Sequence, residues 1–365
     1  MRILIAPQEF KKTLTSSEAA EAIARGLRSV REDFALELCP LADGGPGTVD
    51  AALTVAGAEE RLSAVRDPLG RQVRARWALM PERAAVLEMA AASGLALLAP
   101  SEYAPRIAST RGTGELLSSA LAEGCTRTVL GAGGSATNDA GAGALQELGV
   151  RLLDAEGKGI APGGAALRKL HAIDLSHSQW RGELIVVTDV SNPLLGSQGA
   201  TAVFGPQKGA SAEDVQVLEE ALGHFAEVVK RELGRDVAAT PRTGAAGGLA
   251  YGLHAVLEAE LHSGFEAVSA LIGLERRIGQ ADLVITGEGR LDAQTAFGKG
   301  PAQIARVAAR LGKRVVAIVG AADSDADRGI FAEVIETSPG ERPERSTAIV
   351  LLERAAAELG LRLVR

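Results

Sequence analysis

Residues 3–30 read ILIAPQEFKKTLTSSEAAEAIARGLRSV, and their pattern indicates the fold class. The apolar run Ile3–Ala6 is typical of a short buried strand. From Ser17 to Val30 the apolar residues recur at i, i+3, i+4 and i+7, which predicts an amphipathic helix. A strand, a loop and a helix in this order form the repeating unit of α/β proteins.

The same alternation continues along the chain. Short apolar runs predict further strands at 36–38, 128–130, 184–188, 283–286 and 315–319. Helical spacing predicts helices near 48–55, 140–148, 214–233, 247–260 and 301–311. Three short strands separated by turns, at 61–66, 72–79 and 84–89, predict an antiparallel excursion. The sequence therefore predicts an α/β protein with two α/β domains and mostly parallel sheets.

The length of 365 residues corresponds to about two domains. The first strand and the last strand–helix units are alike in character, so we expect them to share a sheet. The predicted division is a discontinuous Rossmann-like α/β domain of residues 1–70 plus 280–365. Residues 71–279 are predicted to form an inserted second α/β domain.

Composition excludes several classes of protein. The net charge is −7, so the chain lacks the overall excess of positive charge that is typical of proteins that bind nucleic acid or an anionic membrane. Two cysteines, Cys39 and Cys125, are too few for a disulfide framework and fit a reducing compartment. The longest apolar stretch, at 84–99, is shorter than the ~20 residues that cross a bilayer. We therefore expect a cytoplasmic protein with no nucleic-acid or membrane partner, and the sequence leaves monomer and homodimer open.

The 43 glycines cluster in loops that follow predicted strands, where open α/β sheets bind their ligands. In the first such loop, Lys11 can neutralise a phosphate or carboxylate, or it is a solvated surface lysine. In the second, ADGGPGT at 42–48, Asp43 can bind Mg²⁺, or it caps a tight turn.

The third loop reads GAGGSATNDAGAG at 131–143, between a strand and a helix. Successive backbone amides in such a loop can cradle an anion, and Ser135, Thr137 and Asn138 add side-chain donors. The alternative is a tightly packed strand–helix junction. The loop matches neither the dinucleotide-binding fingerprint nor a Walker A loop.

In the fourth loop, Asp189 follows a strand, where a catalytic carboxylate can accept a proton from a substrate hydroxyl. Lys208, in FGPQKG at 204–209, is a second candidate for charge neutralisation. The alternative for Asp189 is an Asx-turn or a helix cap.

The fifth loop, TGEGRLDAQTAFGK at 286–299, carries two carboxylates and two cations, which are Glu288, Arg290, Asp292 and Lys299. Arginine suits the recognition of carboxylate or phosphate. The alternative is an ion-pair network that rigidifies the loop. Taken together, the five loops favour an enzyme that handles phosphates, without naming its substrate.

These motifs, in their order along residues 1–335, resemble the glycerate kinase family of the bacterial glycerate 2-kinase type. The similar stretches are ADGGPGT (42–48), DPLGR (67–71), GTGEL (112–116), GGSATNDAGAG (133–143), DVSNPL (189–194), FGPQKGA (204–210), GAAGGL (244–249) and TGEGRLDAQTAFGK (286–299). The resemblance implies ATP- and Mg²⁺-dependent phosphorylation of D-glycerate, with 2-phosphoglycerate favoured as product. It also implies two α/β domains with the active site in the cleft between them.

The resemblance points to site residues in these loops, and we hypothesise a role for each of them. Asp189 is expected to be the general base, while Lys11 and Lys208 neutralise the transferring phosphate. Asp43 and Glu288 are the candidate Mg²⁺ ligands. The residues expected to bind substrate or phosphate are Gly133, Gly134, Ser135, Thr137, Asn138, Asp139, Arg290, Asp292 and Lys299.

The chain departs from the family pattern in two loops. The family commonly has PDSFKG where this chain has PQEFKK at 7–12, and a glutamate where this chain has Pro46. Glu9 can supply the lost carboxylate from one position along. Two alternatives to an active glycerate kinase stay open: a kinase of another small hydroxy acid, and a non-catalytic ligand-binding homologue.

Overall fold

Strands and helices alternate along the chain in a computed structural model that describes residues 1–292, 300–340 and 342–364. The strands are β1 (Arg2–Pro7), β2 (Ala35–Leu38), β3 (Glu59–Arg66), β4 (Gln72–Met80), β5 (Ala84–Glu88), β6 (Arg127–Gly131), β7 (Arg151–Leu153), β8 (Ala172–Asp174), β9 (Glu183–Val187), β10 (Glu260–His262), β11 (Leu283–Gly287), β12 (Arg290–Leu291), β13 (Arg314–Val319), β14 (Ala321–Ala322) and β15 (Glu333–Glu336).

The α-helices are α1 (Ser16–Val30), α2 (Thr48–Leu53), α3 (Ala90–Ser93), α4 (Arg111–Ala122), α5 (Ala142–Glu147), α6 (Ala200–Phe204), α7 (Ala212–Leu233), α8 (Leu249–Leu257), α9 (Gly264–Leu271), α10 (Leu274–Gln280), α11 (Gly300–Arg310) and α12 (Arg345–Leu363). Short 3₁₀ turns lie at Pro81–Arg83, Leu95–Leu97, Pro100–Glu102, Gly164–Lys169, Pro206–Lys208, Ala245–Gly248 and Arg328–Ile330. None of the described helices combines the length and apolar character that a membrane span requires.

The chain divides into two compact units. Unit 1 comprises Met1–Asp43, Asp50–Val55 and Phe265–Arg365, and unit 2 comprises Gly44–Val49 and Ala56–Gly264. These borders differ from those predicted at 70/71 and 279/280. Residues 56–70 belong to unit 2 because β3 pairs along its length with β4. Residues 265–279 belong to unit 1 because the apolar side chains of α9 and α10 pack into its core.

Unit 1 is built on a five-stranded, wholly parallel sheet in the order β15-β13-β11-β1-β2. Along β1, Ile3 and Ile5 pack in one core cluster with α1 and α12, whereas Leu4 and Ala6 pack in another cluster with α10 and α11. This alternation is the period of two expected for a strand covered on both faces. The strand order thus brings the ends of the chain into one sheet.

Unit 2 contains a six-stranded sheet in the order β10-β9-β6-β5-β4-β3. The four strands β10, β9, β6 and β5 are parallel, and β4 and β3 extend the sheet in antiparallel pairing. The predicted antiparallel excursion is therefore confirmed. The carboxyl ends of β6 and β9 lie side by side, with Gly131 opposite Val187. The loops that follow these two strands consequently begin at the same edge of the sheet.

Some elements differ from the prediction. The helix predicted over 247–260 spans Leu249–Leu257, because Gly247 and Glu258 have positive φ angles of 64° and 62° and interrupt the helical backbone at each end. Helix α4 was not predicted from the sequence. Its first turn contains Gly112 and Gly114, which are weak helix formers, and both approach neighbouring backbone too closely to carry a side chain.

Candidate active site

A pocket of about 230 Å³ lies in unit 2, at the carboxyl ends of β6 and β9. Its position agrees with the general rule that open α/β sheets bind ligands beyond the carboxyl ends of their strands. Among the described residues that line it, Lys208 alone carries a charge. The lining residues are Leu95, Ala132, Gly133, Gly134, Ser135, Thr188, Val190, Phe204, Gln207, Lys208 and Ala246.

The glycine-rich loop after β6 is held by direct backbone contact. The Gly133 amide donates a hydrogen bond of 3.0 Å to the Gly44 carbonyl. A Cβ atom added to Gly133 would lie 2.5 Å from the Cα of Gly45. Gly134 has a φ of +75°, a left-handed backbone that glycine adopts without strain. The close approach of the two loops therefore explains why glycine occurs at position 133.

Lys208 is fully buried and projects from the 3₁₀ turn Pro206–Lys208. Its Nζ donates hydrogen bonds of 2.7 Å to Ser135 Oγ and 2.7 Å to the Thr137 carbonyl. Burial lowers the pKa of Lys208 to about 7, and the negative charge of Asp139 opposes this shift. Lys208 thus holds the glycine-rich loop in place and, when protonated, brings a positive charge to the pocket wall.

Asp139 is fully buried and accepts hydrogen bonds from the amide and the hydroxyl of Thr110, at 2.8 and 3.0 Å. The amides of Gly141 and Gly143 also donate to its carboxylate. Burial raises the pKa of Asp139, and these donors act in the opposite direction. Asp139 does not line the pocket. Its contacts instead join the start of α4 to the loop that precedes α5.

Thr137 and Asn138 are fully buried in the same loop. The Asn138 side-chain amide donates to Thr201 Oγ1 at 2.9 Å. The side-chain oxygen of Asn138 and the Thr137 hydroxyl have no hydrogen-bond partner within the part of the chain that the structure describes. The two side chains lie outside the pocket lining, so the structure does not place them against a ligand in that pocket.

Asp189 follows β9, and its neighbours Thr188 and Val190 both line the pocket. The exposed Asp189 carboxylate accepts a hydrogen bond of 2.9 Å from the Gly264 amide, at the start of α9. Ser263 Oγ donates to the same carboxylate oxygen at 3.5 Å. This contact joins two segments that are 75 positions apart, and it holds the carboxylate next to two pocket-lining positions.

In unit 1, three charged side chains gather at the loops after β1 and β2. The pKa of Glu9 is raised, first by burial and then by the negative charge of Asp43, while Lys11 lowers it. The Lys11 side chain is exposed and Asp43 is partly buried. The structure therefore brings two predicted site residues, Lys11 and Asp43, into one electrostatic cluster with Glu9.

The loop after β11 carries the remaining candidates. Glu288 is buried, and Asp292 is partly buried. The guanidinium of Arg290 forms an ion pair of 2.7 Å with Asp323. This pair agrees with the ion-pair alternative for Arg290 that the sequence left open. Lys299 lies outside the described residues.

No group of three or more histidine, cysteine, aspartate or glutamate side chains within residues 1–292, 300–340 and 342–364 is arranged to hold a metal ion. A magnesium ion in phosphoryl-transfer enzymes commonly needs only one or two carboxylates, because substrate phosphates and water supply its other ligands. The cluster of Glu9 and Asp43 fits this donor set, since the charge of one carboxylate raises the pKa of the other.

The model of the glycerate kinase family matches residues 3–359. The chain belongs to the glycerate kinase family. A protein named glycerate kinase from Bacillus subtilis (strain 168) is 46% identical over 98% of this chain and 97% of its own length. A protein named glycerate 2-kinase from Escherichia coli (strain K12) is 45% identical over 89% of this chain and 86% of its own length.

Comparison with a solved structure also supports membership of the glycerate kinase family. The crystal structure of a protein provisionally named glycerate kinase 2, from Salmonella typhimurium LT2, superposes with a TM-score of 0.87 at 39% sequence identity. The match covers 100% of this chain and 98% of that chain. The resemblance inferred from the ordered motifs and the predicted α/β fold are both confirmed, and this glycerate kinase family member is a kinase enzyme.

Several residues that line the pocket of this family member were not predicted from the sequence. Gln207 and Ala246 fall inside the motifs at 204–210 and 244–249, but neither position was assigned a role. Ala246 has a φ of 57°, which is unusual for a residue that carries a side chain. Leu95 follows a helix of small residues and gave no signal in the sequence. Phe204, the first residue of the 204–210 motif, is one of only seven phenylalanines.

Proposed function

We propose that this kinase transfers the γ-phosphoryl group of ATP to D-glycerate, with 2-phosphoglycerate as the product. The observation that carries the proposal is the pocket of unit 2, where a buried lysine and a glycine-rich loop face a small cavity. A lysine beside free backbone amides is suited to an anionic group such as a carboxylate or phosphate. Membership of the glycerate kinase family supports a substrate that carries such a group.

Asp189 is the proposed general base for the acceptor hydroxyl. Phosphoryl transfer needs a group that orients the nucleophile and accepts its proton. The hydrogen bond from the Gly264 amide fixes the Asp189 carboxylate next to the pocket-lining residues Thr188 and Val190. Proton transfer by a positioned side chain contributes ~10²–10⁴-fold to a reaction rate.

The second requirement of the reaction is that the negative charge on the transferring phosphoryl group is neutralised. Lys11 is proposed to neutralise part of it, with Arg290 and Lys299 as further cations that hold phosphate. Asp43 and Glu288 are the proposed Mg²⁺ ligands, and Glu9 is a third carboxylate next to Asp43. A Mg²⁺ ion held by these carboxylates would offset the negative charge that develops during phosphoryl transfer. Asp292 is proposed to act with Glu288 in the same loop.

The glycine-rich loop is proposed to hold either the substrate carboxylate or a nucleotide phosphate. Gly133, Gly134 and Ser135 line the pocket, and Lys208 Nζ donates to Ser135. Thr137, Asn138 and Asp139 are proposed to shape that loop. Their buried positions and, for Asp139, its four protein donors support such a role.

Transfer to the 2-hydroxyl is proposed because the relative from Escherichia coli is named glycerate 2-kinase. The test is turnover of ATP with D-glycerate and Mg²⁺, with the product detected through enolase in the presence and absence of phosphoglycerate mutase. We expect a signal without mutase, because enolase uses 2-phosphoglycerate directly. A signal only with mutase would show transfer to the 3-hydroxyl.

Two other outcomes would replace the proposal. Turnover with a different hydroxy acid, and none with D-glycerate, would identify a kinase of another substrate. Ligand binding without ADP formation, in protein shown to be folded, would identify a non-catalytic homologue. Glycerol, which lacks the carboxylate, serves as the matched substrate control and is expected to give no turnover.

A further inference from the structure

The ammonium group of Lys208 has one donor at the pocket wall that no described residue uses. A protonated lysine carries three N–H donors. Two of them are accounted for by Ser135 Oγ and the Thr137 carbonyl. None of the described residues accepts the third, although the side chain is fully buried and lines the pocket. An unsatisfied donor on a buried charge is costly, so an acceptor group in the pocket would stabilise the protonated lysine.

Two backbone amides next to this lysine also have no acceptor among the residues that the structure describes. The amide of Gly133 donates to Gly44, and that of Ala136 donates to Ser93. Between them, the amides of Gly134 and Ser135 donate to no backbone carbonyl or side chain in the described parts of the chain. A left-handed residue in such a run, as at Gly134, lets consecutive amides converge on an anion.

The charge of the pocket limits which anion it can take. Lys208 is the single charged residue among the described lining residues, so the pocket matches a ligand group with one negative charge. A triphosphate carries several negative charges and requires several cations. The volume of about 230 Å³ is also below the range of ~300–1,000 Å³ that is typical of larger organic ligands. Both quantities favour a small carboxylic acid over a nucleotide.

We propose that this pocket binds the carboxylate of the acceptor substrate, with Lys208 Nζ, Ser135 Oγ and the amides of Gly134 and Ser135 as donors. The inference rests on the proposed function and deepens it by assigning the acceptor, and not the nucleotide, to unit 2. Lys208 and Ser135 are then specificity residues that select an acid over the uncharged polyol or amide of the same size.

The test measures the two ligands separately. Binding of D-glycerate and of a non-hydrolysable ATP analogue with Mg²⁺ is followed by calorimetry, each with and without the other ligand. The substitution Lys208→Met keeps most of the length of the unbranched side chain and removes its charge. We expect it to weaken D-glycerate binding at least tenfold and to change nucleotide affinity less than threefold. D-glyceramide, the uncharged analogue, is expected to bind both proteins equally weakly.

A milder variant and a matched control keep the test valid if Lys208→Met folds poorly. Ser135→Ala removes one donor while Lys208 retains the Thr137 carbonyl, and we expect it to weaken D-glycerate binding about threefold to tenfold. Lys230→Met removes an exposed lysine of the same unit that pairs with Asp236, and we expect it to leave both affinities unchanged.

Different results would refute the inference and the proposed function. A loss of nucleotide affinity in Lys208→Met, with D-glycerate binding intact, would assign the pocket to phosphate. Unchanged binding of both ligands in both variants, together with full wild-type turnover, would overturn the inference alone. Binding of D-glycerate that depends on Lys208, without phosphoryl transfer by the wild type, would support the inference and overturn the proposed function.

Discussion

The substitution Gly133→Ala tests whether the contact between the two glycine loops controls the pocket. The new Cβ would lie 2.5 Å from the Cα of Gly45 and 3.2 Å from its nitrogen. Both atoms are backbone, so no side chain can rotate away. Comfortable carbon–carbon contacts begin at ~3.5 Å, and the two loops must therefore separate by about 1 Å.

The magnitude of the effect follows from this displacement. Overpacking of this kind costs about 1–3 kcal/mol. For a folding unit of 150–250 residues, each kcal/mol lowers the melting temperature by ~2–4 °C, so a decrease of about 2–12 °C is expected. A shift of about 1 Å in groups that bind substrate can reduce the rate ~100-fold. We therefore expect a large decrease in kcat/KM for D-glycerate together with a moderate decrease in the melting temperature.

Thermal unfolding by circular dichroism and the enolase-coupled assay measure the two quantities. Gly159→Ala is the matched control, because its Cβ would meet no described atom within 4 Å and its φ is not positive. A Gly133→Ala variant that melts within about 1 °C of the wild type and retains kcat/KM within about twofold would show that the contact between the two loops does not control the pocket.

Three further predictions concern charged side chains. Asp189→Asn should lower kcat by ~10²–10⁴-fold while calorimetric D-glycerate affinity is retained, and near-normal turnover would remove the role as base. In the wild type, kcat/KM for D-glycerate should fall as pH rises through about 7, because deprotonated Lys208 no longer pairs with a carboxylate; Lys208→Met should lack this step, and an unchanged profile would assign it to another group. Asp139→Asn should lower the free energy of unfolding by about 3 kcal/mol, because an amide nitrogen would then face the hydrogen-bond donors around position 139. Urea titrations measure this difference, and equal stability of the two proteins would contradict the prediction.

Local patterns predicted much of the fold. The strands of the parallel sheets are short and buried, so their apolar runs mark them, as in β1 and β11. Helix α1 carries both an apolar stripe and a capping box at Thr15 and Glu18. The domain borders were harder to predict, because they depend on which sheet each segment joins. Strand β3 lies in unit 2 through pairing with β4, which no local pattern encodes.

The residue types of the candidate site could be predicted from the sequence, but the hydrogen-bond and ion-pair partners of these side chains could not. Glycine-rich loops and acids at strand ends drew attention to Ser135, Lys208 and Asp189 at the sequence level. The sequence did not show that Asp139 directs its carboxylate to Thr110, or that Arg290 pairs with Asp323. These side chains meet across 29 and 33 positions, and such contacts arise from tertiary packing.

The hydrogen bond between Lys208 and Ser135 joins residues 73 positions apart, and it changes the role that we assign to the lysine. In the sequence, Lys208 is one cation among several that suit a transferring phosphate. In the structure it is buried and hydrogen-bonded to the glycine-rich loop, and one of its donors has no acceptor among the described residues. An exposed lysine such as Lys11 can follow a moving phosphoryl group, whereas a fixed lysine serves a group that stays in place. During phosphoryl transfer the acceptor's carboxylate stays in place, and this fixed geometry therefore favours substrate recognition as the role of Lys208.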